Sequence, residues 1–272
     1  MTYRELLIQG QKYFHNLNYD FSQQLLIYLL NCSIEELFLI LDEEIIIKPE
    51  KYFYLIETHL KGKPLAYILK KQSFYKRDFL VNKHTLIPRK ETEEFADKVL
   101  KVLKNSLFLQ KPLIILDLGT GSGVIAITLA LELPNSKFIG SDISSKALRV
   151  AKKNARNLNC LNINFKKSNL LNFFLKKRQK FDVIISNPPY ISKNEIISKS
   201  VKDYEPHLAL FTNDNDGTYF YRSIFKEVKN ILNNKALLAF EIGYNQKEIL
   251  EPLVEQYFPC LLYTSPSPRD CS

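Results

Sequence analysis

The sequence predicts an α/β protein whose main domain is a doubly wound, mostly parallel sheet, preceded by a small helical bundle and a β-hairpin connector. Three observations predict this architecture. From residue 112 onward, short apolar segments alternate with longer segments of helical period. Glycine, Asp or Asn follows several of the apolar segments, and residues 1–72 show helical periodicity alone. Alternating strands and helices form parallel sheets covered on both faces, and ligands bind beyond the carboxyl ends of such strands.

Residues 1–72 are predicted to form a domain of short helices. Apolar residues recur three and four positions apart in "TYRELLIQGQKYFHNL". Ser33 followed by Glu36 is a capping-box pattern, and Pro49 is placed to open a further helix, which Gly62 ends. The region holds no grouping of catalytic side chains. We therefore interpret it as a helical bundle that packs against or recognises a partner.

Residues 73–87 connect this bundle to the main domain. Apolar and polar residues alternate on both sides of Asn82 and Lys83, which predicts a β-hairpin centred on these two residues. The main domain is assigned to residues 88–258, with Pro88 near the start of its first helix. Its predicted strands are "LIILDL", "KFIGSDI", "INFKK", "FDVIIS" and "ALLAFEIG", and its later helices include "SGVIAITLALEL", "SKALRVAKKNARNL", "TYFYRSIFKEVKNILN" and "NQKEILEPLVEQYF".

The segment "DLGTGSG" follows the first of these strands. Glycine at alternate positions lets the backbone turn tightly and pass close to a ligand. Val124 stands where a dinucleotide fingerprint needs glycine, no GK[ST] follows as in a Walker loop, and Ser122 lacks the flanking glycines of a hydrolase nucleophile elbow. The next strand ends in an acidic residue, placed to accept hydrogen bonds from ribose hydroxyls. We therefore predict an adenosine-containing cofactor bound by Asp117, Gly119, Thr120, Gly121, Ser122, Gly123 and Asp142.

A second polar segment, "NPPY", ends the apolar strand "FDVIIS". Proline cannot donate a hydrogen bond to a sheet, so the backbone must leave the sheet at Asn187. Pro188 and Pro189 stiffen the loop and fix its oxygens in advance, and Tyr190 adds a flat aromatic face. A loop of this composition at the carboxyl end of a buried strand indicates a binding or catalytic role more than an ordinary turn.

The composition narrows the function classes. The formal net charge is +9, but only eight of the 38 basic residues are Arg and the Lys residues form no long patch, so we favour a solvated surface over a nucleic-acid-binding face. The four Cys and four His residues are scattered, which predicts neither a disulfide framework nor a metal site. No apolar run reaches membrane-spanning length and no leader pattern opens the chain, so we expect a cytoplasmic protein.

Six segments together resemble one known family: "GKPLAYILKKQSFYKRDFLVNKHTLIPRKETEEF", "DLGTGSGVIAITLA", "SDISSKALRVAKKNA", "NPPYI", "YEPHLALF" and "EIG". They are similar to segments of class I S-adenosylmethionine-dependent methyltransferases with a Rossmann-like fold, and within them of the release-factor glutamine methyltransferase family. "NPPY" alone is shared with adenine-N6 methyltransferases, whereas the segment before the glycine turn makes the resemblance specific. The resemblance implies N5-methylation of the glutamine in the GGQ motif of peptide chain release factors, with S-adenosyl-L-methionine as the cofactor.

The resemblance also implies roles for the loop residues. The Asn187 side-chain oxygen and the Pro188 carbonyl are expected to accept the two N–H bonds of the substrate amide. Tyr190 is expected to offer its ring face to that amide, with Pro189 completing the substrate-binding loop. Asn187 is also expected to border the cofactor. The predicted catalytic residues are thus Asn187, Pro188 and Tyr190.

The sequence departs from the family pattern in three places. The family usually has an acidic residue and then an apolar one near the adenine, where this chain has Asn169 and Leu170. Lys90 replaces a proline of the family pattern. Residues 259–272, "PCLLYTSPSPRDCS", stand where the family adds two final strands, and we expect this tail not to be native to the fold.

The expected partner is a release factor, acting as the protein substrate of a monomeric enzyme, with residues 1–72 as the substrate-recognition domain. We expect no membrane contact and no stable nucleic-acid binding. Two alternatives stay open. An adenine-N6 methyltransferase acting on DNA or RNA would use the same loop, although no Arg-rich target-recognition region is present. A non-catalytic or decayed cofactor-binding protein would explain the tail, but the intact loop from Asn187 to Tyr190 argues against it.

Overall fold

The computed structural model describes residues 1–13, 20–105 and 111–259. The chain divides into two compact units. The first unit comprises Met1–Pro88 and Ile196–Pro206, and the second comprises Arg89–Glu195 and His207–Ser272.

Twelve α-helices and seven strands make up the described part of the chain, with short 3₁₀ turns at His207–Ala209 and Lys229–Ile231. The helices are α1 (Tyr3–Lys12), α2 (Asp20–Leu30), α3 (Ile34–Leu39), α4 (Pro49–Leu60), α5 (Leu65–Leu69), α6 (Lys90–Asn105), α7 (Val124–Glu132), α8 (Ser145–Asn157), α9 (Asn172–Lys177), α10 (Lys199–Tyr204), α11 (Tyr219–Val228) and α12 (Lys247–Tyr257). The strands are β1 (Lys71–Phe74), β2 (Arg77–Leu80), β3 (Ile114–Leu118), β4 (Lys137–Asp142), β5 (Ile163–Lys167), β6 (Phe181–Ser186) and β7 (Leu232–Phe240).

The first unit packs short helices around the buried ring of Tyr52. The Tyr52 hydroxyl donates a hydrogen bond to the Ser22 carbonyl at 3.1 Å, and the ring leaves no room for a Cβ at Gly10. The predicted capping box at Ser33 and Glu36 is formed in both directions, with distances of 3.1 and 2.7 Å. The predicted helical bundle and the predicted capping box are therefore confirmed.

Residues 196–206 belong to the same unit although they lie far along the sequence. Buried Glu205 accepts a hydrogen bond from the backbone N–H of Ile87 at 3.1 Å. The ring of Tyr204 packs against a small apolar cluster that includes Tyr67. Glu205, within the segment "YEPHLALF", therefore holds together two stretches of chain in the first unit.

The predicted hairpin exists, but its turn lies elsewhere than predicted. Strands β1 and β2 pair antiparallel with Phe74 opposite Arg77, so the turn is at Tyr75 and Lys76. Both turn residues adopt positive φ, 51° and 58°, which matches the right-handed twist of two-residue hairpins. Asn82 instead forms a local turn, because its side-chain oxygen accepts the N–H of His84 at 3.0 Å. The prediction of a turn at Asn82 and Lys83 is wrong. The turn residues Tyr75 and Lys76 are of types that rarely adopt positive φ, so the sequence did not indicate a turn there.

The second unit is built on a five-stranded parallel sheet in the order β5-β4-β3-β6-β7. The chain runs outward from β3 to β5 and then returns to add β6 and β7 on the other side. Its topological switch point is therefore between β3 and β6, where ligands bind in sheets of this kind. All six residues of β6 are buried, as expected for a central strand. The predicted doubly wound sheet is confirmed.

Asp182 ties the amino-terminal ends of three strands together. Its buried carboxylate accepts hydrogen bonds from the Ile114 N–H, the Lys111 ammonium and the Asn233 side-chain amide, each at 2.9 Å. Burial opposes ionisation, but these donors outweigh it and lower the pKa of Asp182. The carboxylate thus fixes the start of β3 against β6 and β7.

One helix ends earlier than its sequence indicates. The segment "TYFYRSIFKEVKNILN" was predicted as a single helix, whereas α11 ends at Val228 and β7 begins at Leu232. Asn233 lies in the strand because its side chain bonds to Asp182 on the neighbouring strand. A helical period cannot reveal such a distant partner, so the prediction is wrong at this end.

Two sequence-based expectations concern the limits of the fold. The predicted tail, residues 259–272, lies outside the described residues apart from Pro259, and the proposed boundaries at residues 72, 87 and 258 stay predictions. Within the described ranges, every helix is too short or too polar to cross a membrane.

Candidate active site

The glycine turn between β3 and α7 leaves open space on one side of its backbone. Gly119, Gly121 and Gly123 all have positive φ, of 78°, 56° and 83°. A Cβ added to Gly119 or Gly121 would meet no atom within 4 Å. A Cβ on Gly123 would lie 2.8 Å from Ile127 Cδ1 and 3.2 Å from Ala151 Cβ. The first two glycines therefore border a space that a ligand can enter, and the third allows close packing of helices.

Asp117, at the end of β3, is a buried acid beside this turn. Its Oδ2 accepts a hydrogen bond from the Thr120 hydroxyl at 2.6 Å, whereas its Oδ1 is buried without a hydrogen-bond partner among the described residues. Burial raises the pKa of Asp117 to about 7, against the opposing effect of the Thr120 hydroxyl. The carboxyl group therefore keeps one oxygen able to bind a further donor.

Asp142 ends the neighbouring strand β4 and holds the glycine turn from outside. Its Oδ2 accepts the N–H of Gly121 at 3.0 Å, and its Oδ1 accepts the N–H of Ser144 at 2.8 Å. Burial raises the pKa of Asp142, and these amides together with that of Ile143 oppose the rise. A carboxylate has about four lone-pair sites, so each oxygen can still accept a bond from a ligand hydroxyl.

Further backbone contacts fix the turn. The N–H groups of Gly119 and Thr120 both donate to the Ser141 carbonyl at 2.8 Å. The Ser122 carbonyl accepts the side-chain amide of Asn154 on α8 at 2.9 Å. Ser122 is thus engaged through its backbone with a helix, which is a packing contact. The turn is held to β4 and to α8 before any ligand binds.

Asn169 and Leu170 follow β5 on the far side of β4. The segment is tied to the carboxyl end of β4 because Ser168 donates its N–H to the Asp142 carbonyl at 3.0 Å. Asn169 is exposed, whereas Leu170 has a φ of 45° and packs against the main apolar core. Of these two side chains, only that of Asn169 therefore offers polar atoms to a ligand.

The loop after β6 leaves the sheet at Asn187 and is anchored on both sides. Before it, the Ser186 hydroxyl donates to the Leu118 carbonyl at 2.7 Å. After it, Ile191 donates its N–H to the Leu210 carbonyl at 3.1 Å and accepts the N–H of Thr212 at 2.8 Å. Pro188 is buried, and Pro189 and Tyr190 are half-buried. The loop is therefore rigid for reasons beyond its two prolines.

Gln246, at the start of α12, clamps the same loop. Its Nε2 lies 3.2 Å from the Tyr190 carbonyl and 3.2 Å from that of Gly217, and its Oε1 accepts the Gly243 N–H at 3.0 Å. A Cβ at Gly217 would overlap the Tyr190 carbonyl. Gln246 is not among the predicted site residues. A Gln beside the start of a helix is common, so its residue type alone gives no sign of a role in the loop.

The side chain of Asn187 belongs to a chain of hydrogen-bonded polar groups with buried Thr92 at its centre. Its Nδ2 lies 3.3 Å from the hydroxyl oxygen of buried Thr92, which lies 3.2 Å from Glu241 Oε1. Glu241 Oε2 is buried without a hydrogen-bond partner among the described residues. Burial raises the pKa of Glu241 to about 7, and the Thr92 and Asn187 side chains oppose the rise. Thr92 was not predicted, although it lies in the segment "RKETE".

Two oxygens of the loop are free to act as acceptors. No hydrogen bond from the described residues reaches Asn187 Oδ1 or the Pro188 carbonyl. Burial raises the pKa of the Tyr190 phenol, with Glu241 adding to the effect, so the ring is neutral at physiological pH. Two preorganised acceptors beside a neutral aromatic ring can bind a planar group that carries two N–H bonds.

A family model described as "Methyltransferase domain" matches residues 109–256. Proteins named release factor glutamine methyltransferase match most of the chain. The one from Bacillus cereus is 43% identical over 220 residues, covering 80% of this chain and 77% of the relative. The one from Flavobacterium psychrophilum is 48% identical over 72% of this chain and 68% of the relative, and that from Bacillus subtilis 40% over 75% and 70%.

The chain belongs to the release factor glutamine methyltransferase family. For this family member, the predicted class I methyltransferase fold and the predicted enzyme class are confirmed. The assignments of individual site residues stay predictions. The structure divides them by whether they border open space or are engaged in packing. Gly119 and Gly121 border open space and Asp142 accepts the Gly121 N–H, whereas Ser122 and Gly123 are engaged in packing. Among the described residues, no group of three or more His, Cys, Asp or Glu side chains is arranged to bind a metal.

Proposed function

We propose that this protein transfers a methyl group from S-adenosyl-L-methionine to the side-chain nitrogen of the GGQ glutamine in a peptide chain release factor. One observation carries the proposal. Asn187 turns its nitrogen toward Thr92, so that its oxygen and the Pro188 carbonyl are two acceptors without partners from the described residues. A primary amide has two N–H bonds, and this pair of acceptors matches them. The names of the relatives support the same substrate.

The residues around the glycine turn fit the cofactor. Gly119 and Gly121 border open space, and Asp142 retains lone pairs that suit the two hydroxyls of a ribose. The buried and unpartnered Asp117 Oδ1 can accept a further donor, such as an ammonium group. Asn169 offers an amide oxygen that suits the amino group of adenine. When bound, the cofactor supplies an electrophilic methyl group on a sulfonium centre.

The chain's own residues address the low reactivity of an amide nitrogen, whose lone pair is delocalised into its carbonyl group. Asn187 Oδ1 and the Pro188 carbonyl hold both N–H bonds and thereby orient the nitrogen lone pair. Tyr190 covers one face of the amide and excludes water. Orientation of reacting groups lowers barriers by about 7–11 kcal/mol in the best intramolecular cases. The methylated nitrogen is strongly acidic and releases its proton to solvent, so no strong base is required.

The helical unit is the proposed substrate-recognition domain. Several of its large apolar side chains are exposed, including Leu39 at 83% and Tyr54 at 65%. Exposed apolar groups are common at sites of protein association. We further propose that the enzyme acts as a cytoplasmic monomer on its protein substrate.

Mass spectrometry of a release factor incubated with the protein and S-adenosyl-L-methionine tests the proposed function. The expected result is one added methyl group on the GGQ glutamine. A parallel incubation with DNA tests the adenine-N6 alternative, which uses the same loop. Methylation of adenine with no change to the release factor would replace the proposed substrate. Methylation of neither, by a folded protein that binds the cofactor, would refute both.

A further inference from the structure

Three polar side chains from distant parts of the second unit form one line. Asn187 follows β6, Thr92 lies in the first turn of α6, and Glu241 follows β7. The distances are 3.3 Å from Asn187 Nδ2 to Thr92 Oγ1 and 3.2 Å from Thr92 Oγ1 to Glu241 Oε1. Thr92 is buried and Glu241 Oε2 is inaccessible to solvent, so the middle of the line and this carboxylate oxygen are shielded from water.

The charge state of Glu241 sets the direction of every bond in this line. An ionised carboxylate can only accept hydrogen bonds, so the Thr92 hydroxyl must donate its single proton to Glu241. The Thr92 oxygen then has only lone pairs to offer to Asn187. Asn187 must meet it with the NH₂ end of its amide, which turns Oδ1 away from Thr92. This deduction orients the amide from its bonding partners, as such amides must be assigned.

The opposite direction is available when Glu241 is protonated. The carboxylic acid can donate to Thr92, and the Thr92 hydroxyl is then free to donate to the Asn187 oxygen. The amide would rotate by half a turn and present NH₂ to the substrate. Two N–H donors facing each other repel, so a substrate amide would lose one of its two acceptors.

We propose that Thr92 and Glu241 are positioning residues that hold the Asn187 side chain with its oxygen toward the substrate. The catalytic part of this statement rests on the proposed function. The orientation of Asn187 does not rest on it, because the three side chains are present whatever the substrate is.

Several groups face Glu241 and influence its protonation. Burial raises the pKa of Glu241 to about 7, and the charge of Glu91 on α6 adds to the rise. The Tyr190 and Tyr221 phenols interact with Glu241, and the raised pKa of each keeps it neutral near pH 7. Arg89 lies close enough to lower the pKa of Tyr190. As pH falls through about 7, Glu241 gains a proton and the direction of the line is no longer imposed.

A set of threonine variants tests the positioning role. Thr92→Val keeps the shape but removes the hydroxyl, and we expect kcat to fall about 100-fold, the scale for losing a preorganised polar contact. KM and cofactor affinity should change less than threefold, and Thr92→Ser should recover most of kcat. Thr128→Val is the matched control, because Thr128 is buried on α7 with a hydroxyl that lacks a partner among the described residues. Equal kcat for Thr92→Val and Thr92→Ser would overturn the proposal.

A second readout needs no substrate. In protein labelled with ¹⁵N at Asn, the side-chain NH₂ resonance of Asn187 is identified by its loss in Asn187→Ala. We expect this resonance to shift with a midpoint near pH 7 in the wild type and to be independent of pH in Glu241→Gln. A resonance that shifts equally in both proteins, or in neither, refutes control by Glu241. If the resonance behaves as expected while no release factor is methylated, the proposed substrate is wrong and the positioning role stands.

Discussion

The backbone N–H of Gly121 donates a hydrogen bond to Asp142 Oδ2 at 3.0 Å. This bond joins the turn after β3 to the end of β4, so that two parts of the proposed cofactor site hold each other in place. The same carboxylate accepts the N–H of Ser144 through its other oxygen. Asp142 therefore organises the backbone of the site and also offers lone pairs to a ligand.

Replacing Asp142 with Ala should weaken S-adenosyl-L-methionine binding. The ribose hydroxyls lose a charged acceptor, worth roughly 1.5–3 kcal/mol or about 10- to 150-fold in Kd. Isothermal titration calorimetry gives the affinity. Ser144→Ala is the control, because the Ser144 hydroxyl caps α8 through the Ala147 N–H and its removal leaves the Asp142 carboxylate in place. An unchanged Kd for Asp142→Ala would remove Asp142 from the site.

Two glycine substitutions in the same turn should fail in different ways. Gly121→Ala and Gly123→Ala both place a side chain at positive φ, which costs about 1–2 kcal/mol. Gly123→Ala also forces a methyl group against Ile127, which adds about 1–3 kcal/mol of overpacking. Urea unfolding should therefore show the larger loss of stability for Gly123→Ala. Cofactor affinity should fall more in Gly121→Ala than in Gly123→Ala. A larger loss of stability in Gly121→Ala, or a larger loss of affinity in Gly123→Ala, would contradict these roles.

The buried acid Asp117 should make the ligand-free protein less stable as pH rises. Its pKa is about 7 in the folded state against an ordinary value of 3.8 for an aspartate, so the folded state binds more protons between these limits. The contribution of Asp117 to the free energy of unfolding is fully present below pH 4. It is lost at up to about 1.4 kcal/mol per pH unit as pH rises toward 7. Denaturant unfolding measures the free energy of unfolding at each pH. This free energy should fall with rising pH in the wild type and change less with pH in Asp117→Asn. Parallel profiles would show that Asp117 does not titrate in this window.

Removing the Asn187 side chain should slow turnover strongly while leaving the proposed cofactor site able to bind. Asn187→Ala should lower kcat by about 100-fold or more, because a preorganised acceptor is lost, while cofactor affinity changes little. Asn187→Asp keeps an outward acceptor but sets a second carboxylate against the Thr92 oxygen, so its activity should be intermediate and should fall as Glu241 ionises. Methyl transfer to a glutamine-containing release-factor fragment measures both. A near wild-type rate for Asn187→Ala would disprove the proposed role of the loop.

The sequence predicted those features whose causes are local. The capping box of Ser33 and Glu36, the strand from Phe181 to Ser186 and the glycine turn each depend on residues within a few positions of one another. The hairpin turn was misplaced although it is local, because Tyr75 and Lys76 are not residues that favour positive φ. Local chemistry is therefore predictive only where the residue types follow the usual preferences.

The supporting residues of the site could not be predicted because their partners are distant. Thr92 lies 95 positions before Asn187 and 149 before Glu241, and Gln246 reaches Tyr190 across 56 positions. No periodicity or spacing encodes such pairs. The sequence supplied the residues that we propose bind ligands, since these form compact motifs, and it left out the residues that hold them.

The 149-residue separation of Thr92 and Glu241 also sets how long after Thr92 the Glu241 residue is synthesised. Ribosomes add on the order of 5–20 residues per second, so roughly 7–30 s pass between the synthesis of these two residues. Asn187 is made 95 residues into that interval, and from then until its end the nascent chain carries the Asn187 loop but lacks Glu241 and Gln246. Incomplete chains that end between residues 190 and 241 therefore carry the proposed catalytic loop without the Glu241 carboxylate that we propose orients it.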